Sequence, residues 1–317
     1  PMGLNMFENI PFWHTFLTSL DFEVVLSERS SLELYNRGRY SIPSDTACYP
    51  AKLMHGHIES LISQGVDYIF YPCMTYNFDE HTGDNCYNCP VVAYYPELLR
   101  ANVERLSEVS FLYPYFGLHR KHDFIARAGA YFSRHVPGIT RSEIRRAANA
   151  AYSEYENWQS DLRDEGSRSI EFARKNKLDM VILAGRPYHI DPEINHGIDK
   201  MLQSFGLVVL SEDCVAHLVE PQSVNVLNQW TYHARLYNSA KYCTLHDDVN
   251  FVQLVSFGCG LDAITTDEAR DILESGGKFY TQLKIDEISN LGPARIRIRS
   301  LLGAIDEQRR RRKNGAK

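Results

Sequence analysis

The chain has 317 residues, 44% apolar and 23% charged, with a net charge of −6. That length and apolar content suit one large or two to three smaller globular domains with a full core, and the acidic balance gives a nucleic-acid role no electrostatic support. No apolar stretch is long enough to span a bilayer and no signal-peptide pattern is present, so the sequence reads as a cytoplasmic protein without a membrane segment.

The chain opens almost directly into a helix, followed by a short apolar strand at 23–26. Pro50 suits the first turn of a helix to about residue 62, with Leu53, His57 and Leu61 on one face. His55 and His57 are two residues apart and point to different faces, so joint metal ligation is not expected. A strand at 68–71 follows, and Pro96 is placed to open a helix through about residue 108. Thr140 and Glu143 form a capping box ahead of a long helical region to about residue 175, with a break expected at Asp164-Glu165-Gly166. Further strands are expected at 180–184, 207–210, 242–245 and 251–257. Thr265 and Glu268 form a second T-x-x-E pattern, which predicts a helix start near Thr266. The basic run Arg309 to Lys313 reads as a solvated helix end or tail. Strand–helix alternation of this kind specifies an α/β fold with parallel sheets. The expected organisation is a first α/β domain over 1–112, a mainly helical connecting segment over 113–177, and a second α/β domain over 178–317 ending in a helix.

Seven cysteines form an odd set, which argues against a closed disulfide framework. Cys73, Cys214 and Cys259 each lie just past the carboxyl end of an expected strand, where open parallel sheets bind ligands. Cys48 immediately precedes the Pro50 helix, whose amino end favours a thiolate or an anionic cluster. Cys86 and Cys89 occupy a polar loop as C-x-x-C, a weak signal without a second such pair. Cys243 reads as the middle of a strand and as a core filler, and Cys214 divides between core filler and ligand. Thiolates of Cys48, Cys73, Cys89 and Cys259 converging from separate segments suit a [4Fe–4S] cluster and equally a tetrahedral zinc.

The stretch "VSFGCGLDAITTDE" also holds Gly258, Gly260 and Ala263 at G-x-G-x-x-A spacing, the outline of a dinucleotide fingerprint. That reading requires the strand to lead straight into a helix at Gly260. The capping pattern at Thr265 places the helix beyond the fingerprint, and Asp286 lies too far along for the ribose contact. The glycines are then expected to give backbone room around Cys259. No P-loop motif is present.

The motifs "LNMFENIPFWHTFLTSLDFEVVLS", "CYPAKLMHGHIESLISQGVDYIFYPC", "YNCPVVAYYPE", "ILAGRPYHIDPEINHGID", "VQLVSFGCGLDAITTDE" and "LKIDEISNLGPARIRIRSLL" resemble the acyl-CoA dehydratase activase-related family. That family is similar to the 2-hydroxyglutaryl-CoA dehydratase subunits and the double-cubane cluster proteins. The resemblance covers nearly the whole chain. Members carry a short apolar strand ahead of "GLNMFEN" that is almost absent here, which leads to the expectation of a piece of a longer fused protein. The resemblance implies two Rossmann-like or flavodoxin-like parallel-sheet domains with a helical segment. It also implies an oxygen-sensitive iron–sulfur cluster, [4Fe–4S] or alternatively a double cubane. The implied partner is an ATP-dependent activase, in trans or fused, that delivers low-potential electrons. An acyl-CoA or other small molecule is the implied substrate class, and a homodimer the oligomer considered. Family motifs carry cysteine at the positions of Cys48, Cys73, Cys89 and Cys259, whereas Cys86, Cys214 and Cys243 belong to them less securely.

Beside such a cluster, Gly258 and Gly260 would donate backbone N–H groups to its sulfurs. Arg186, Tyr188 and His189 follow the 180–184 strand and are the candidates for contacting substrate or delivering protons; the alternative is a loop held by Asp191. Four thiolates on one cubane favour electron transfer; three leave an open iron and favour catalysis. Two other readings stay open: a non-catalytic electron-relay or scaffold module of a larger fused activase protein, and a nucleotide-binding oxidoreductase.

Overall fold

The computed structural model describes residues 1–286 and 290–315. Its internal contacts divide the chain into two units, Pro1–Arg163 with Val226–Ala234, and Asp164–Asn225 with Arg235–Lys317. Each unit holds a parallel sheet among helices, so the α/β class expected from the sequence is the one observed. Among the described residues no helix is long and apolar enough to cross a membrane.

The first unit contains helices α1 (Leu4–Thr18), α2 (Leu32–Gly38) and α3 (Tyr49–Ser63), strand β1 (Tyr68–Phe70), helix α4 (Pro90–Asn102), strand β2 (Ser110–Leu112), helix α5 (Lys121–His135) and the first part of α6 (Arg141–Lys175). β1 and β2 pair in parallel, with Tyr68 opposite Ser110 and Phe70 opposite Leu112. The pairing direction continues beyond the strands: the Cys73 N–H donates to the Pro114 carbonyl at 2.8 Å, and the Phe116 N–H donates to the Cys73 carbonyl at 3.0 Å. The core is aromatic. Phe12 and Phe16 of α1 meet Phe124 of α5 edge to face at 5.4 and 5.3 Å, the geometry that aligns a ring's positive edge with its neighbour's negative face.

α3 is buried along nearly its whole length because α2 crosses it at glycine contacts. A Cβ on Gly38 would stand 2.2 Å from the Gly56 nitrogen, and one on Gly56 2.1 Å from the Leu34 carbonyl oxygen. His55 and His57, on different faces as expected, are both buried. His55 bonds Ser41 and Tyr95; His57 bonds Ser27 and Ser30.

The second unit contains the rest of α6, β3 (Met180–Ala184), α7 (Pro192–Asn195), α8 (Ile198–Gln203), β4 (Val208–Leu210), most of α9 (Thr231–Thr244), β5 (Val249–Val255), α10 (Gly260–Ser275), β6 (Gln282–Lys284) and α11 (Gly292–Gly315). Its strands are all parallel in the order β4-β3-β5-β6. β3 and β5 are buried at every position, which explains their nearly unbroken apolar sequences. The two polar side chains in β5 are used inside the sheet layer: Asn250 Nδ2 donates to the Met180 carbonyl at 3.2 Å, and Gln253 Oε1 accepts from the Tyr280 hydroxyl at 2.9 Å.

Several local expectations are corrected. Residues 23–26 form no strand. The apolar run at 242–245 belongs mostly to α9, so Cys243 is a helical residue, with its thiol donating to the Val249 carbonyl at 3.3 Å. α4 starts at Pro90, capped by Cys89, and Pro96 lies inside it. Asp164-Glu165-Gly166 does not interrupt α6; Gly166 is where the helix lets Cys214 approach, since a Cβ there would stand 2.6 Å from that of Cys214. The basic run is a solvated helix end, as expected: it lies in the last turns of α11 with residues 310–313 exposed, and Arg309 pairs with Asp179 at 2.6 Å and Arg312 with Asp247 at 3.0 Å. The Thr140–Glu143 capping box is present, with the Glu143 carboxylate accepting from the Thr140 N–H at 2.8 Å.

Candidate functional site

In the first unit, three cysteines from separate segments share one neighbour. Cys48 is the N-cap of α3 and Cys89 the N-cap of α4, each followed by a proline in the first turn. Proline there has no N–H to leave unpaired, and the helix amino end presents partial positive charge to the thiol. The Cys89 sulfur accepts from the Val92 N–H at 3.3 Å. Cys73 lies three residues past β1, fixed by its two backbone bonds to the 114–116 segment. The common neighbour is Tyr71. Burial holds its hydroxyl well above the usual range, with Tyr95, Cys73, Cys89 and Cys48 adding to the effect; all three thiols therefore lie within electrostatic reach of one phenol. Tyr71 is fully buried, and its hydroxyl has no hydrogen-bond partner among the described residues.

The remaining thiols differ. Burial pushes Cys73 up to about 12, so it is a neutral thiol until a metal takes its proton. Cys86 is raised to about 11 by burial, and with Cys73, Tyr76, His119 and Arg120 it lines a polar cleft of about 620 Å³. Cys214 and Cys243 are each pushed to about 12 by burial and donate to backbone carbonyls, the behaviour of small core side chains. Among the described residues no three of His, Cys, Asp and Glu stand where they would hold one metal ion. A single zinc requires its sulfurs within about 2.3 Å. A cubane takes one thiolate per iron, so its ligands stand apart around the core. Cys48, Cys73 and Cys89 come from three separate segments, the kind of donor set that the second arrangement uses, and the partnerless buried hydroxyl of Tyr71 is within their electrostatic reach.

Buried amides adjoin these thiols. Asn5 Nδ2 bonds the Met74 sulfur at 3.2 Å, and Asn88 Nδ2 bonds the Met74 carbonyl at 2.9 Å. Both amide atoms of Asn9, and the Oδ1 atoms of Asn5 and Asn88, are buried without a partner among the described residues.

In the second unit, the strand order reverses between β3 and β5, the switch point at which open parallel sheets bind ligands. Arg186, just past β3, forms a buried two-toothed ion pair with Asp262 of α10, at 2.6 and 3.3 Å. Its Nη2 also donates to the Cys259 sulfur at 3.1 Å. Asp262 Oδ2 accepts from the Ser256 N–H at 2.8 Å, fixing the loop that carries Cys259. Tyr188 and His189 are buried in the same turn, where His189 Nδ1 accepts from the Arg186 N–H at 3.3 Å. Gly185 permits that turn: a Cβ there would stand 2.3 Å from His189 Nδ1. Asp191 caps α7 through the Glu193 N–H at 2.9 Å. Glu212, whose Oε2 accepts from the Gly185 N–H at 3.2 Å, is pushed up to about 8 by burial and is largely protonated at neutral pH.

The fingerprint expectation is corrected here. α10 starts at Gly260 with Cys259 as its N-cap, not near Thr266. Thr265 instead bonds back to the Leu261 carbonyl at 2.8 Å, and Glu268 accepts from the Asn225 N–H at 3.0 Å. Asp286 holds the loop itself, through the Ser256 hydroxyl at 2.7 Å and the Phe257 N–H at 2.8 Å. Neither Gly258 nor Gly260 has a left-handed φ, and a Cβ at Gly260 would meet nothing within 4 Å, so at Gly260 the glycine is not required by crowding.

Sequence reasoning named the cysteines and Arg186 but not Tyr71, Asp262 or Glu212. Asp262 carried a readable signal, an acid in the first turn of a helix three residues after Cys259. Tyr71 read as the last residue of an expected strand, and nothing in its spacing marked the hydroxyl.

The two units define the chain as an α/β protein with thiols gathered at strand and helix ends. Residues 1–215 match the family described as CoA enzyme activase uncharacterised domain (DUF2229), and the chain belongs to that family. No curated protein matches the chain.

Proposed function

We propose that this protein is an iron–sulfur component of a 2-hydroxyacyl-CoA dehydratase-type system, a cytoplasmic acceptor of low-potential electrons from an ATP-dependent activase. The observation that carries the reading is the common approach of Cys48, Cys73 and Cys89 to the Tyr71 phenol. Membership of a CoA enzyme activase domain family supports the partner class. The group, a [4Fe–4S] or double-cubane cluster, supplies one-electron chemistry when bound. This chain's residues do the rest: the α3 and α4 amino ends stabilise the half-buried thiolates of Cys48 and Cys89, and Cys73 is the buried member of the set. The partnerless Oδ1 atoms of Asn5 and Asn88 and the amide of Asn9 are suited to bind the polar part of a small or acyl-CoA substrate. Cys259, whose sulfur takes a guanidinium N–H, is the fourth thiol of the sequence-based set.

The test is anaerobic purification with iron and acid-labile sulfide quantification, followed by EPR of the reduced protein. Cys48→Ser, Cys73→Ser and Cys89→Ser each lose iron if the reading is right. Cys259→Ser decides between three and four thiolates. Protein that stays iron-free after cluster reconstitution overturns the proposal.

One observation favours the nucleotide reading: β5 leads into α10 at Gly260, the condition that reading sets. Two observations weigh against it. The Asp262 carboxylate already occupies the first turn, where it repels a pyrophosphate, and Ala263 is exposed instead of packing the helix on the sheet. Titration with NAD(H) and NADP(H) is expected to give no binding.

A further inference from the structure

We infer that the Tyr71 hydroxyl is the protein's hydrogen-bond donor to an inorganic sulfur of the cluster held by Cys48, Cys73 and Cys89, and so raises its reduction potential. The inference rests on the proposed function. Tyr71 is 0% exposed, yet its hydroxyl has no partner among the described residues. A buried donor left unmade costs about 1–3 kcal/mol, so such a group points to an acceptor outside the polypeptide. Two other buried phenols of this unit are satisfied by the protein: Tyr95 bonds His55 Nε2 at 3.1 Å, and Tyr152 bonds the Leu118 carbonyl at 2.8 Å. Tyr71 and Cys73 alternate along one extended segment, their N–H groups donating to the Leu112 and Pro114 carbonyls at 2.9 and 2.8 Å, so their side chains leave the same face; the fields of Tyr95, Cys48 and Cys89 reach the hydroxyl as well. A neutral thiol is a weak acceptor, whereas cluster sulfur is anionic and accepts strongly. A donor to that sulfur stabilises the more negative, reduced state more than the oxidised one.

The experiment is an EPR-monitored redox titration of reconstituted wild-type, Tyr71→Phe and Tyr152→Phe proteins, with iron and sulfide counted in each. Tyr71→Phe should keep its iron and lower the reduced-to-oxidised ratio at fixed poise by about tenfold, about 59 mV for a one-electron couple. Tyr152→Phe, which removes another buried phenol hydroxyl from the same unit, should leave the potential unchanged. An iron-free wild type overturns the proposed function itself. An iron-loaded Tyr71→Phe protein with the wild-type potential overturns this inference alone. If Tyr71→Phe folds but takes up no iron, the measurement moves to protein carrying 3-fluorotyrosine at position 71 alone. There, 19F ENDOR of the reduced cluster should detect the Tyr71 ring, and a missing coupling overturns the inference.

Discussion

Replacing Arg186 with methionine should strand a buried charge. The Arg186 and Asp262 side chains are 6% and 5% exposed and joined at 2.6 Å. With the guanidinium gone, the Asp262 carboxylate keeps the Ser256 N–H but loses both Arg186 contacts. Breaking one side of a buried pair costs about 3–5 kcal/mol, because the other charge stays desolvated. With a urea slope near 2 kcal/mol per M, the second unit's midpoint should fall by about 2 M. The choice of assay matters. Trp13, Trp158 and Trp230 all lie in the first unit, so tryptophan fluorescence does not report on this transition. Hydrogen exchange of peptides covering β3 and β5, followed through urea, reads the second unit directly. The double variant Arg186→Met with Asp262→Leu should recover most of the loss, since an apolar pair of similar volume carries no desolvated charge. A loss below about 1 kcal/mol for the single variant, or no recovery in the double, would refute the reasoning.

Two further outcomes concern the first unit. Burial lowers His55 to about 4 and His57 to about 3, so both are neutral in the fold and take up protons on unfolding below their ordinary 6.5. The stability they permit is complete above about pH 6.5 and is lost as pH falls toward the folded values. By pH 4.5 each should have cost about 2.5 kcal/mol, read as a fall in the fluorescence-detected urea midpoint between pH 7 and 4.5; a flat midpoint would count against their burial as neutral groups. Gly56→Ala gains about 1 kcal/mol of helix propensity but drives a methyl to 2.1 Å from the Leu34 carbonyl, against backbone that cannot swing aside. A net loss of about 2 kcal/mol or more is expected in thermal melts, and a stabilised variant would mean that α2 does not cross α3 there.

The two strands buried on both faces were legible in the sequence, and so were the half-buried β1 and β4. "MVILA" is a continuous apolar run and "FVQLV" one interrupted only by Gln253, and both lie in strands. The same signal misled at Tyr242-Cys243, because a buried helix face offers a short apolar run too, and only Leu245 beyond it turns outward. Local patterns failed where tertiary partners took the same side chains. Thr265 and Glu268 spell a capping box, but Glu268 is engaged by Asn225, forty-three residues earlier in the chain. At Asp164-Glu165-Gly166 the glycine suggested a break, yet its missing Cβ serves the approach of Cys214 while α6 continues. Of the candidate site, the place of Cys48 at the amino end of its helix was readable from local chemistry, whereas that of Cys89 was missed because Pro96, not Pro90, reads as the residue that opens α4. The convergence of their fields on Tyr71 depends on contacts distant in sequence, and no periodicity encodes those.

The first unit takes in Val226–Ala234, a segment more than sixty residues beyond the rest of it. That segment is bonded to the loop carrying Cys86 and Cys89. The Asp84 N–H donates to the Asn228 carbonyl at 2.6 Å, the Tyr87 N–H to that of Gln229 at 3.0 Å, and the Thr231 N–H to that of Tyr87 at 3.1 Å. During synthesis the first 163 residues therefore emerge without the strip that fixes the Cys89 loop. The ribosome must add about seventy more, at a pace of roughly 5–20 residues per second, before the loop can close. For several seconds the nascent chain presents Cys48, Cys73 and Cys89 on an unfinished frame. If the proposed cluster is inserted during synthesis, its insertion has a window set by translation, and a gene cut after residue 163 would leave that window permanently open.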